Sequence, residues 1–228
     1  LWGQVYPHSI GLFYSAMTKR VGLRPMDEEY ILMGMAGYGR PKFFQNIMRD
    51  FVDDPVELTF KHNLHIGIND NYFESDLLTQ IGDKHYHIAA SAQLAVEVLI
   101  AQVMQKASLF NWSKNLVYTG GVALNCLANR MLGDYFDNVW IMPNPGDAGA
   151  SVGAAALAYG KALHWMGPYL GTNILGKYPV DRLIQELLTN KIVGVASGRA
   201  EFGPRALGNR SLLADPRGTD IKDQVNAI

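Results

Sequence analysis

Asn115-Leu116-Val117-Tyr118-Thr119-Gly120-Gly121-Val122-Ala123-Leu124-Asn125 is the stretch on which the fold is read. Residues 115–118 have strand character, two adjacent glycines break the run, and an apolar segment read as a helix over 124–132 follows. The same order recurs a short distance on. A second strand is expected at 138–142, a Pro143-Asn144-Pro145-Gly146 turn ends it, and a third helix is expected from Asp147 to about His164. Strand, turn, helix repeated in this way is the signature of an α/β fold.

Working outward, residues 88–110 form the clearest helix, a run of Ala, Gln, Leu, Glu, Met and Lys without Gly or Pro. Residues 8–20 read as a further helix, with Ile10, Phe13, Tyr14 and Met17 near helical spacing. Met33-Gly34-Met35-Ala36-Gly37-Tyr38-Gly39-Arg40, with three glycines, is expected to be a loop or tight turn. Residues 41–86 have no clear period and read as variable, insertion-like structure. Within them, His62 and His65 are three apart and imitate a metal pair, yet no helical frame holds them, so packed or solvated histidines are expected. His85 and His87 alternate like a strand. Toward the C-terminus come a linker at 167–171, an amphipathic helix at 180–188, a strand at 192–196 and an arginine-rich segment at 198–217.

The chain has 228 residues, 48% of them apolar, enough for a sizeable core in one large domain or one domain and part of another. Its formal net charge of -1 gives no electrostatic reason to expect a nucleic-acid partner. The single cysteine, Cys126, excludes an intramolecular disulfide framework and matches a reducing, cytoplasmic setting. It opens an apolar helical stretch with no activating base beside it, and a structural role is expected. No secretory signal opens the chain, and no apolar run reads as long enough to span a bilayer, so no membrane partner is expected. The chain begins with Leu1 and stops soon after its most distinctive motif, which reads as a piece of a longer protein.

Three constellations carry chemistry. Gly120 and Gly121 lack a Cβ, so backbone can come close to a ligand, and the helix N-terminus behind them suits a phosphate. Asn125 is expected in the first helical turn, within reach of a ribose or phosphate oxygen. A strand-to-helix turn without a ligand accounts for the same residues equally well. Gly146 stands at the second turn of this kind and joins the nucleotide-contact candidates. Asp147 beside it reads either as a helix N-cap or as a carboxylate ligand for a divalent cation at a cleft mouth. The Ala, Gly and Ser residues after it suit close packing. The third constellation, 198–217, holds Arg199, Arg205, Arg210 and Arg217 among glycines and prolines. Guanidinium groups bind phosphate oxygens in pairs, so Arg205, Arg210 and Ser211 suit a small dianion. A structural salt-bridge network with Glu201 and Asp215 is the alternative.

Five segments together resemble a known family. They are residues 8–18 (HSIGLFYSAMT), 28–41 (EEYILMGMAGYGRP), 118–130 (YTGGVALNCLANR), 143–160 (PNPGDAGASVGAAALAYG) and 198–217 (GRAEFGPRALGNRSLLADPR). In this order they resemble the O-carbamoyltransferases of the NodU and CmcH type, which include antibiotic-tailoring enzymes. The resemblance implies a fold of two parts: the C-terminal lobe of an actin-like (ASKHA) ATPase domain over 1–165, its N-terminal lobe missing, and the start of a YrdC-like α/β domain over 166–228. It implies that the YrdC-like unit activates carbamoyl phosphate with ATP, giving carbamoyl-adenylate and pyrophosphate. The ASKHA-like unit then transfers the carbamoyl group to a hydroxyl of a sugar or secondary metabolite. By matching positions, Gly120, Gly121 and Asn125 would hold the adenylate, and Asp147 would serve as metal ligand and catalytic residue. Iron is the metal expected there, with magnesium accompanying ATP. Arg205, Arg210 and Ser211 would contact carbamoyl phosphate or ATP. Small-molecule partners and a homodimer are expected, and these residues alone are expected to turn over nothing. An ASKHA ATPase or sugar kinase, or a tRNA threonylcarbamoyl-transfer protein, shares the glycine turns; the arginine-rich segment discriminates against both.

Overall fold

Described from a computed structural model, the structure covers residues 2–69, 72, 84–110 and 112–228. The chain divides into two compact units, 1–141 and 142–228. That division lies ahead of the boundary expected at 165/166. Its physical basis is local: the strand pairing of the first unit ends at Ile141, and the 143–144 turn packs directly under Gly203, within the second unit.

The first unit is built around one long helix. α1 (Ile10–Arg20) is opened by Ser9, whose hydroxyl accepts the Leu12 N–H at 3.2 Å. Lys19 and Arg20 lie in its last turn, where positive charge suits the helix dipole. α2 (Glu29–Ala36), α3 (Phe44–Phe51) and α1 all pack on α4 (His85–Leu109). Phe13, Met17, Leu32, Ile47, Phe51, Val96 and Leu99 are almost wholly buried in the core this makes. β1 (Val52–Asp54) and β2 (Thr59–Phe60) form a small antiparallel pair at its border. β3 (Asn115–Tyr118) and β4 (Asn138–Ile141) pair in parallel, Tyr118 opposite Ile141, and their Leu116, Tyr118 and Ile141 side chains pack on that core.

Several expectations are corrected here. Residues 33–36, read as loop, are helical: Met33 and Met35 pack against the core, and the α4 contact outweighs the glycine penalty at Gly34. His85 and His87 are not in a strand but open α4, and His87 Nδ1 accepts the Arg40 N–H at 3.0 Å. The stretch 41–86 is ordered where described, with α3, β1 and β2 between 44 and 60; residues 70, 71 and 73–83 lie outside the described residues. His62 stacks on Tyr72 with centroids 3.9 Å apart and is half-buried, while His65 meets Tyr6 edge-on and is exposed. The helix expected over 124–132 is broken into a 3-10 turn (Gly121–Leu124), α5 (Cys126–Asn129) and a second 3-10 turn (Leu132–Asp134). Cys126 is exposed, not buried, with its Sγ 3.8 Å from Met33 Sδ. Finally, α4 does have the length and composition to cross a bilayer, contrary to the reading of the sequence. Its apolar faces are spent in the protein core, and it also carries buried Ser91 and Gln93.

The second unit opens with α6 (Ala150–Tyr159), preceded by a 3-10 turn (Asp147–Gly149). The left-handed turn at Gly160 ends this helix before the expected limit at His164. None of its residues is buried, although its small side chains suit close packing. α7 (Val180–Asn190) packs on β6 (Ile192–Ala196), with Leu183 and Val195 buried. β6 pairs antiparallel with β8 (Arg210–Ala214), Ala196 opposite Arg210. β5 (Asn173–Ile174) pairs with β7 (Gly198–Arg199), and α8 (Ile221–Asn226) closes the chain.

Candidate functional site

The first candidate site is the turn after β3. Gly120 has φ 100° and ψ 161°, a conformation open in practice to glycine alone. A Cβ at Gly120 or Gly121 would meet nothing within 4 Å, and both residues are exposed. Ala123 N–H donates to Gly120 O at 2.9 Å, closing the first 3-10 bond. The N–H groups of Gly121 and Val122 precede any such partner and donate to no acceptor among the described residues. The turn therefore offers open backbone donors to an oxygen-rich ligand.

Asn125 is not in the first turn of a helix but is the N-cap of α5, and it is buried. Its Oδ1 accepts the Ala128 N–H at 3.1 Å and the Gln93 side-chain N–H at 3.0 Å. Its Nδ2 donates back to Gln93 Oε1 at 3.0 Å. The side chain thus faces inward, into a reciprocal amide pair. Asn129, one turn on, donates to Ala123 O at 2.8 Å and ties the 3-10 turn to α5. Gln93 is further held by the Tyr14 hydroxyl, which donates to Oε1 at 2.9 Å, and by Glu97, which accepts from Nε2 at 3.0 Å. Burial, then the charges of Glu29 and Glu97, push the Tyr14 hydroxyl well above its ordinary range, so it stays a donor at any physiological pH. Burial likewise pushes Tyr118, at the end of β3, up to about 12. Gln93 went unread in the sequence, where a lone amide on an apolar helix was the available signal, and Tyr14 was read only as part of a helical pattern.

The second candidate site belongs to the other unit. Asp147 is exposed and opens a 3-10 turn whose N-cap is Gly146, so Asp147 is not the cap. Its carboxylate has no hydrogen bond or ion pair among the described residues. Gly149 allows the turn to close, because a Cβ there would clash with the Asn144 carbonyl. Gly203 is pressed in the same way against the Pro143 carbonyl, so the turn that carries Gly146 and Asp147 adjoins the arginine-rich loop.

That loop is organised by Glu201. Its Oε1 accepts the backbone N–H groups of Leu207 and Asn209 at 2.8 Å each and of Arg210 at 3.2 Å. Desolvation opposes ionisation, but these N–H groups outweigh it and hold the carboxyl down at about 2. Tyr169 and Tyr178 hydroxyls donate to the carbonyls of Leu207 and Gly208. The Arg210 guanidinium donates to Ser197 O, Asn209 O and Thr172 O at 2.7–3.0 Å, joining the ends of β6 and β7 to the segment before β5. Ser211 Oγ accepts the Gly208 N–H at 3.0 Å. Arg205 is exposed on the loop so framed. The salt-bridge alternative holds in part: Asp215 pairs with Arg217 at 2.7 Å and Lys191 at 3.0 Å, while Glu201 accepts backbone N–H groups, that of Arg210 among them, and has no ion pair among the described residues.

Iron at Asp147 would need further ligands from outside the described residues. Asp147 supplies one hard oxygen donor, and no group of three or more His, Cys, Asp or Glu among the described residues could hold a metal ion. Gly120, Gly121 and Asn125 belong to the first compact unit, and Gly146, Asp147, Arg205, Arg210 and Ser211 to the second.

The comparison with known proteins now fits both units. Residues 2–156 match the carbamoyltransferase N-terminus model, and residues 184–228 match the carbamoyltransferase C-terminus model. The chain belongs to the carbamoyltransferase family. Among relatives of this carbamoyltransferase chain is the nodulation protein NolNO of Sinorhizobium fredii, 30% identical over 96% of the chain and 37% of that protein. The nodulation protein NolO of Bradyrhizobium diazoefficiens is 29% identical over 97% of the chain and 46% of that protein. Nodulation protein U of the same organism is 31% identical over 87% of the chain and 40% of that protein. The chain spans less than half the length of these curated relatives. The mixed α/β architecture is that expected for carbamoyltransferase domains, and the matches do not favour a sugar kinase or a tRNA-modifying ATPase.

Proposed function

We propose that this chain supplies part of the machinery of an ATP-dependent O-carbamoyltransferase, with an ASKHA-like first unit and the opening of a YrdC-like second unit. The observation that carries the reading is the exposed Gly120–Gly121 turn, two of whose backbone donors have no acceptor among the described residues, in a chain of carbamoyltransferase sequence. In the proposed reaction carbamoyl phosphate loses its phosphate to water, and the resulting carbamate attacks the α-phosphorus of ATP. Pyrophosphate leaves and carbamoyl-adenylate forms. An acceptor hydroxyl then attacks the carbamoyl carbon, AMP departs, and the hydroxyl proton passes to a base that the described residues do not identify.

The roles divide by chemistry. The turn at Gly120 and Gly121 takes the adenylate phosphate through the Gly121 and Val122 N–H groups, and Asn125 holds the turn's far end from inside. Arg205 draws in the doubly charged carbamoyl phosphate, and Arg210 and Ser211 keep its loop in shape. Magnesium bound to ATP needs few protein carboxylates, and the exposed Asp147 with Gly146 beside it suits that contact. A sugar hydroxyl and a secondary-metabolite hydroxyl are the two acceptor classes to try. Pyrophosphate release by the full-length enzyme, with ATP, carbamoyl phosphate and a panel of alcohols, tests the proposal. Release that depends on carbamoyl phosphate supports it, and nucleotide turnover indifferent to carbamoyl phosphate refutes it.

A further inference from the structure

We propose that Gln93 is a positioning residue that sets the ligand-ready shape of the Gly120–Gly121 turn through Asn125. This rests on the reading of that turn as a nucleotide contact. Gln93 is 4% exposed on the most deeply packed helix of the first unit. A Leu or Met would fill the same volume without the cost of burying an amide. The amide instead spends its whole hydrogen-bonding capacity. Oε1 accepts from Tyr14 and Asn125, and Nε2 donates to Asn125 and Glu97.

The consequence falls on Asn125. The two carboxamides meet in a reciprocal pair, 3.0 Å in each direction, and this selects one side-chain orientation of Asn125. In that orientation Oδ1 also caps α5 through Ala128 N–H. The Asn125 backbone ends the 3-10 turn, its N–H donating to Val122 O at 3.0 Å. Asn129 fixes the Ala123 carbonyl at the same time. A Cβ at Gly120 or Gly121 would meet nothing within 4 Å among the described residues, while the inner end of the turn is tied down at Asn125, and Gln93 is the anchor there.

The test uses the full-length enzyme, with ATP affinity read by calorimetry and the thermal midpoint read alongside. Gln93→Met and Gln93→Asn each break the pair and are expected to weaken ATP about tenfold, the scale of one buried hydrogen-bond partner lost. The double variant Gln93→Asn/Asn125→Gln restores the combined reach of the two amides and recovers most of that loss. Leu99→Ala, a core variant that removes no hydrogen bond of Gln93 or Asn125, lowers the thermal midpoint but leaves ATP affinity at the wild-type value. The inference is overturned if Gln93→Met and Gln93→Asn bind ATP like the wild type, or if the swapped pair recovers nothing. Should Gln93→Met fail to fold, the Gln93→Asn and swap measurements decide. Gly121→Val separates the two levels: if it leaves ATP affinity unchanged, the reading of the turn itself fails. If it abolishes binding while the Gln93 variants do not weaken it, only the positioning role fails.

Discussion

Gly120 and Glu201 show how single residues set the two candidate sites. At Gly120 the surroundings are empty, so substitution is limited by the backbone alone, held at φ 100°. Gly120→Ala is expected to cost about 1–3 kcal/mol of stability, measurable as a shifted urea midpoint, with no clash to relieve. Glu201 acts through charge. Its folded pKa of about 2 lies below the ordinary 4.5, so its stabilisation is complete above pH 4.5 and is lost as pH falls toward about 2. Asp215, held low first by the Arg217 side chain and then by Lys191, acts in the same direction. Glu201→Gln should therefore be less stable than wild type near neutrality. The difference should close as pH drops from 4.5 to 2, followed by denaturant midpoints across that range. A flat difference would show that the N–H groups around Oε1 do not depend on its charge. Neither residue's role was legible in the sequence: the glycine pair was seen, its φ was not, and Glu201 was read only as a possible arginine partner.

At the scale of elements, α4 decides the first unit. Helices α1, α2, α3 and α5 pack on it, and Leu99 at its centre is fully buried. Leu99→Ala is expected to cost about 2–5 kcal/mol, read by thermal or chemical unfolding, because little around it can collapse into the void. The sequence showed α4 to within a few residues, since a long run of good helix formers is self-consistent without partners. β3 and the strand at 192–196 were legible for the same reason, with alternation or branched residues bounded by turns. The helical state of residues 33–36 was not legible. Local propensity there favours a turn, and only the burial of Leu32 and the packing of its neighbours on α4 reverse that preference. The break between Leu124 and Cys126 was also invisible, because it is set by the Asn125 cap and its partner on another helix.

For the whole molecule, both compact units carry carbamoyltransferase sequence, and each holds one of the two candidate sites. Adenylate transfer requires more than either turn provides, since the described residues offer neither a base nor a complete metal site. The 228 residues alone are therefore expected to release no pyrophosphate and carbamoylate no acceptor, while the full-length protein does both. Turnover by the isolated chain in the pyrophosphate assay would contradict the proposed division of labour.

The sequence by itself determined the α/β class, the glycine turns after each strand, the arginine-rich segment and the family. All of these are local patterns, readable from residues a few positions apart. Tertiary structure decided what the polar side chains do. Gln93 meets Asn125 across 32 positions, and Arg210 reaches the Thr172 carbonyl across 38. A hydrogen-bonding group takes the partner that packing brings near and solvent leaves unsatisfied. That partner is fixed only once distant segments have met.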